Sequence, residues 1–158
     1  MGLGKDKFIT EEHPRGDAYQ LFMMALFLLV WTLDSFLVKL TYYGSVVPWY
    51  LRLGGGALVA LYGAFLVDAS HRLVIGVDEP VMIDWGVYSV ARHPMYLGMM
   101  LVCLGLCIST LSGVSMLTFG GIYLVYDIIA SYEEAKLVEK LDLRYLDYMK
   151  RVRRWLLF

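Results

Sequence analysis

The stretch VYSVARHPMYLG, residues 87–98, sets an arginine and a histidine directly before a proline and a long apolar run. Proline suits the first turn of a helix, because its missing N–H is one of the donors left unpaired there anyway. His93 then falls near the N-cap and Arg92 just outside it. Unpaired backbone N–H groups, the positive end of the helix dipole and a guanidinium together make a site for a carboxylate or a phosphate. On that chemistry alone the pair serves equally as a functional site or as a clamp on a lipid headgroup. Further on, Glu133 and Glu134 close a second apolar segment, where adjacent acids at a helix C-terminus are disfavoured by the dipole. Arg92, a tail arginine or a positively charged ligand would offset them; taken alone, the doublet also reads as two solvated acids opening a surface helix.

The elements that must position these groups are membrane helices. The chain has 158 residues, 59% of them hydrophobic, with a mean hydropathy of +0.59, too apolar for an ordinary soluble domain. Its length fits one domain. A bilayer core of about 30 Å needs about 20 helical residues. Residues 19–40, 46–67, 94–109 and 114–131 approach that length, the third being short. The apolar runs are continuous and do not alternate as barrel strands do, so the expected fold is all-α, a polytopic bundle of about four transmembrane helices. The expected organisation is a single membrane domain over 1–158: an N-terminal segment 1–18, transmembrane helices within 19–131, and a covering helix over 132–158.

Lysine and arginine place the ends. The net charge is −1, yet half of the basic residues follow position 135: Lys136, Lys140, Arg144, Lys150, Arg151, Arg153 and Arg154. Lys5, Lys7, Arg15, Arg72 and Arg92 lie on the same side of the spans as this tail, while the loop STLSGVS carries no charge. The positive-inside rule then predicts cytoplasmic N- and C-termini, with Lys39 and Arg52 as exceptions. Beyond Ser131, apolar or aromatic residues at Leu137, Leu141, Tyr145, Tyr148, Val152 and Trp155 recur at steps of three and four, the pattern of an amphipathic helix lying on the membrane surface. No cleavable leader and no myristoylation signal is expected at the N-terminus.

Small residues mark helix contacts: Gly56, Ala60 and Ala64 in the second span, with Gly98, Val102, Gly105 and Ser109 in the third. Gly98, one turn inside the Arg–His pair, is also a candidate for the site. Asp34 and Arg52 flank one short connection and are expected to compensate each other. Cys103 and Cys107 share a helix face without other ligands and read as packing residues.

In order and spacing, GVYSVARHPMYLG, YEEAKLVEKL and YLDYMKRV resemble the isoprenylcysteine carboxyl methyltransferase and phospholipid methyltransferase superfamily. The resemblance covers about the C-terminal half and implies S-adenosylmethionine as methyl donor, bound between the last hairpin and the tail. It implies cofactor contacts from Arg92, His93, Tyr96, Gly98, Glu133, Glu134, Tyr145 and Tyr148, and catalytic roles for Arg92, Arg151 and Glu134. The implied acceptor is lipophilic and reaches the site from the bilayer, with a prenylated-cysteine carboxylate favoured over a phospholipid amine or a small thiol. Neither nucleic acid nor metal is an expected partner, and the small-residue faces permit a homodimer. A nicotinamide-dependent membrane reductase shares a related core but carries Asn where this chain has Met95, and a non-catalytic scaffold is the third reading. Departures from the family pattern fall in the tail, where VRRWLLF lacks its prolines and LDLRY its glycine.

Overall fold

In the computed structural model, which describes residues 16–76 and 82–155, the described chain is all-α. Five α-helices follow one another: α1 (Gly16–Thr32), α2 (Trp49–Ile75), α3 (Pro94–Thr110), α4 (Gly113–Leu141) and α5 (Leu143–Arg151). A π-helical turn, Leu33–Leu37, extends α1, and a 3-10 turn, Gly86–Ser89, precedes α3. The N-terminal basic residues Lys5, Lys7 and Arg15 lie outside the described residues, as do residues 156–158 of the expected tail helix.

Three helices, α1 with its π turn, α2 and α4, are long and apolar enough to cross a membrane, yet only 17%, 17% and 28% of their most apolar windows are buried. Leu58, Leu61, Leu117, Leu124 and Ile128 stand between 63% and 79% exposed. Apolar surface on that scale needs lipid as its solvent. Helix α3 is apolar but has 17 residues; it rises about 25 Å, short of the roughly 30 Å bilayer core.

Two spans run past their expected ends. The connection expected from Asp68 onward begins instead as helix, because α2 continues to Ile75 with an Asp68–Arg72 pair at 2.8 Å, one turn apart, on its polar extension. Helix α4 continues to Leu141, and its 29 residues extend about 43 Å, so its last turns project beyond a bilayer core. Those turns carry Glu133 and Glu134.

The single surface helix expected beyond Ser131 is divided. Asp142, at φ 49°, turns the chain out of α4 into α5, and Val152 is already extended at φ −119°, ψ 132°. The reversal lets both apolar sides meet: Tyr145, Tyr148 and Val152 pack on Leu137, Val138 and Leu141, with Met82 across from them. A straight helix would leave those rings without a partner surface.

Helices α2 and α3 approach through glycine. A Cβ on Gly105 would lie 2.5 Å from the Gly56 carbonyl, and one on Gly98 would lie 2.6 Å from the Gly63 carbonyl. Gly63, not the exposed Ala64, is the contact residue. Without a hydrophobic drive between helices in lipid, such close backbone packing holds them together. Gly105→Val should therefore destabilise the bundle by about 1–3 kcal/mol, read as a lower thermal midpoint in detergent. Gly54→Ala, where a Cβ meets nothing within 4 Å, should leave the midpoint unchanged or higher.

The expected Asp34–Arg52 pair does not form. Asp34 accepts from the Thr41 backbone N–H at 3.0 Å, the Thr41 hydroxyl at 2.7 Å and the Ser112 hydroxyl at 2.5 Å. It fastens the end of α1 to the α3–α4 turn, where Ser112 also caps α4 by accepting from the Ser115 N–H. These three neutral donors satisfy the carboxylate, so it needs no guanidinium partner. Arg52 donates instead to the Ser109 carbonyl. Cys103 and Cys107 are free and buried in the main core, with Cys103 3.8 Å from the Met24 sulfur.

Candidate functional site

His93 is the N-cap of α3 at φ −122°, and Pro94 opens the helix. The chain's direction there is fixed by the tail: the Arg92 backbone N–H donates to the Arg153 carbonyl at 2.9 Å. The first-turn N–H groups of α3 and the last turns of α4 consequently share one end of the bundle.

At that end Glu134 gathers three basic groups. Its Oε1 accepts from Arg92 Nε at 2.8 Å, His93 Nε2 at 3.2 Å and Arg154 Nε at 3.2 Å, and its Oε2 from Arg154 Nη2 at 2.7 Å. The carboxylate only accepts, so His93 carries a proton on Nε2. The Glu134 side chain is 3% exposed and that of Arg92 10%. Withdrawing such charges from water is repaid only by several well-aligned partners, and this cluster supplies them.

A second layer surrounds the first. Tyr96 donates to Glu133 Oε1 at 2.6 Å, and His93 Nδ1 lies 3.6 Å from Glu133 Oε2. The His93 and Tyr96 rings stack at 5.5 Å and 6°, with Trp155 at 6.0 Å from His93. Arg154 also reaches Asp127 and the Ser131 hydroxyl, both at 2.9 Å, and the Trp155 indole N–H donates to the same Asp127 oxygen at 3.0 Å. Bonding to Glu134 raises the Arg154 pKa above its ordinary value, against the opposing effect of burial, so Arg154 stays cationic.

Arg92 reaches the tail through its side chain as well, donating from Nη1 to the Met149 carbonyl at 3.2 Å and the Val152 carbonyl at 2.9 Å. Tyr148 donates to the Tyr88 carbonyl at 2.6 Å. Tyr145 and Tyr148, 3% and 2% exposed, thus sit under α5 and hold it over the cluster's edge. Burial pushes the Tyr88 phenol up to about 12, with Glu133 adding to it, and burial likewise raises Tyr145 and Tyr148. These phenols keep their protons and do not act as bases near neutrality. An unfolded chain releases such protons near pH 10, so above that pH it binds fewer protons than the fold and stability falls as pH rises. Phenolate absorbance should accordingly lag behind a denatured control up to about pH 12 for Tyr88, and alkaline unfolding should release the missing signal.

The structure brings together Arg92, His93, Tyr96, Glu133 and Glu134, with Tyr145 and Tyr148 packed behind them. Gly98 is occupied differently, by its contact with α2. Arg151 stands apart, 64% exposed and 3.4 Å from Asp84. Arg154, Trp155 and Asp127 are the cluster members that sequence reasoning missed. A signal for Asp127 existed: Asp127, Ser131 and Glu134 fall at i, i+4 and i+7, one polar stripe on an otherwise apolar helix.

An apolar bundle whose one end carries carboxylates, guanidiniums and stacked rings is a membrane protein with its polar chemistry gathered at that end. Residues 53–141 match the phospholipid methyltransferase family, more than half of the chain, and the protein belongs to that family. Its members are membrane methyltransferases that use S-adenosylmethionine, and they belong with the isoprenylcysteine carboxyl methyltransferases in one superfamily. Neither a curated protein nor a solved structure matches the chain significantly. S-adenosylmethionine carries a carboxylate, an ammonium, a sulfonium and an aromatic base. The cluster offers groups of both signs beside ring faces, so its donor set fits that molecule.

Proposed function

We propose that the Arg92–Glu134 cluster binds S-adenosylmethionine and that the methyl acceptor is a lipid amine presented at the same bundle end. The observation that carries this reading is the convergence of Arg92, His93 and Arg154 on the buried Glu134 carboxylate, beneath the open first turn of α3. When bound, the cofactor supplies an electrophilic methyl group on a sulfonium. The first-turn N–H groups of α3 and the outer edge of the Arg92 guanidinium orient its carboxylate. Glu133 meets its ammonium, and the Tyr96 and Trp155 rings face its cationic and aromatic parts. Glu134 is a positioning residue, keeping Arg92, His93 and Arg154 in register.

Residues 143–155, with Arg92 bonded to their backbone, exclude water from the reacting atoms, and that exclusion favours in-line transfer. An amine must shed a proton to attack; His93 and Glu133 stand where they can accept it. Helix α3 serves as a short fourth crossing, both termini face the cytoplasm, and α5 lies at the interface. Residues 1–158 act as one domain. Engagement of Arg92 and Arg154 by Glu134 favours an amine over a carboxylate acceptor. The exposed Arg151 supports the second reading, in which a prenylated-cysteine carboxylate is oriented at the rim.

Methyl-labelled S-adenosylmethionine, supplied to the protein in liposomes with either phosphatidylethanolamine or a prenylcysteine, separates the two. Lipid-extracted label that base does not release as volatile methanol identifies a methylamine. Base-released volatile methanol identifies an ester and sinks the amine reading, and no transfer to either lipid sinks both acceptors.

A further inference from the structure

At the far end of the bundle from the Arg92 cluster lies a cavity of about 470 Å³. Trp31, Ser35, Phe36, Lys39, Arg52 and Ser109 contribute to its lining. Its lining on α3 begins at Leu106 and ends at Thr110, roughly 20–25 Å of helix rise from His93. A molecule held there does not reach the methyl-transfer site.

Two donors in this lining have nothing to bond. The Ser35 hydroxyl, on a residue 3% exposed, and the Arg52 Nε are both buried and without a hydrogen-bond partner. Leaving a buried donor unmet is costly, more so when it is charged. Arg52 spends one nitrogen on the Ser109 carbonyl, and its guanidinium carbon sits 5.7 Å above the Tyr42 ring. Asp34, beside Ser35 on the same π turn, accepts from Thr41 and Ser112 and does not line the cavity.

The backbone here is unusual as well. The π turn Leu33–Leu37 contains Ser35 and Phe36 and leads to Lys39, held at φ 55°, a left-handed conformation that a lysine adopts at a cost. π turns are often retained for function. This one brings Ser35 to a cavity shared with two cations.

We infer that this cavity holds the phosphate of a lipid headgroup from the leaflet at that end, between Arg52, Lys39 and the Ser35 hydroxyl. A phosphate supplies acceptors to both unmet donors and counter-charge to both cations. Its source is the bilayer, because Trp31, Phe36, Leu53 and Leu106 provide apolar lining, and Leu37, Leu40, Trp49 and Tyr50, within three residues of lining positions in sequence, are exposed, the aromatic and apolar pattern of a membrane interface. The bound lipid is a resident, not the acceptor, and the inference stands whatever the methyl acceptor proves to be.

Native mass spectrometry of the detergent-solubilised protein with phosphatidylglycerol, diacylglycerol and inorganic phosphate tests it. The expected result is one retained phosphatidylglycerol per chain, not displaced by millimolar phosphate and not matched by diacylglycerol. Arg52→Gln should weaken retention tenfold or more, about 1.4 kcal/mol, and Ser35→Ala and Lys39→Ala each severalfold. Lys39→Ala alters an exposed side chain and keeps the test valid should Arg52→Gln fail to fold, with S-adenosylmethionine binding as the folding control. Equal retention of diacylglycerol would reveal a purely apolar groove, and displacement by free phosphate an ion site without a lipid. Either outcome, or undiminished retention in Lys39→Ala, overturns the proposal.

Discussion

Glu134→Gln should lose methyl transfer by a hundredfold or more and show the largest drop in thermal midpoint of any single change in the cluster. The substitution keeps shape and removes charge. Arg92, Arg154 and His93 all address this carboxylate, and the side chain is 3% exposed, so water does not replace what is lost. Removing one partner of a buried ionic group costs about 3–5 kcal/mol, because the remaining charges stay buried without compensation. Glutamine also presents an N–H₂ group where only acceptors are wanted. Glu133→Gln is the informative contrast. Its carboxylate meets the Tyr96 hydroxyl and the His93 ring, so S-adenosylmethionine binding should weaken about tenfold, or 1.4 kcal/mol, with a smaller change in midpoint. Calorimetric titration and thermal unfolding in one detergent separate the two effects. A Glu134→Gln protein with a wild-type midpoint would show that the acid is not the keystone assigned to it.

How much of this arrangement was readable before folding depends on whether its cause is local. Pro94 after Arg92 and His93 announces a helix start, because proline's missing donor has only one comfortable place in a helix. The Glu doublet raises the question of a nearby cation, because its position opposes the dipole, though taken alone it also reads as two solvated acids. Both readings need only adjacent residues. Which cation answers is a tertiary matter. Arg154 is one of seven basic residues beyond position 135, and its selection depends on the chain reversing at Asp142 and again beyond Arg151. Helical periodicity runs through both points without a break in apolar spacing, so a straight helix is the natural expectation. The apolar positions themselves were identified well: Tyr145, Tyr148, Val152 and Trp155 are all buried, although a folded-back segment and not one continuous face buries them.

The same distinction accounts for Asp34 and Arg52. Sequence proximity to one loop suggested a pair, but that loop brings Thr41 and the α3–α4 turn brings Ser112 to Asp34 at hydrogen-bond distance, and neutral donors suffice to hold an acid. Among the described residues Arg52 forms no ion pair. The two ends of the bundle therefore differ in character: a satisfied ionic cluster at one and a pair of unsatisfied donors at the other.

Arg92→Lys should uncouple the tail from the bundle, though it preserves the charge. The guanidinium donates from Nε to Glu134 and from Nη1 to the Met149 and Val152 carbonyls, while its backbone N–H holds Arg153. One planar group thus spans α4, the end of α5 and the extended segment beyond it. An ammonium on a flexible stem is a single point donor and does not reproduce that fork. The Glu134 contact can survive the exchange, but the two carbonyls at the end of α5 lose their partner. Hydrogen exchange should then accelerate over residues 143–155 while α2 and α3 remain protected, because local opening follows the contacts that are lost. Methyl transfer should fall by at least tenfold, with S-adenosylmethionine affinity and turnover declining together as the cover opens to water. Uniform acceleration across all helices would instead assign Arg92 to global stability, and unchanged exchange in the tail would dissociate the cover from the arginine altogether.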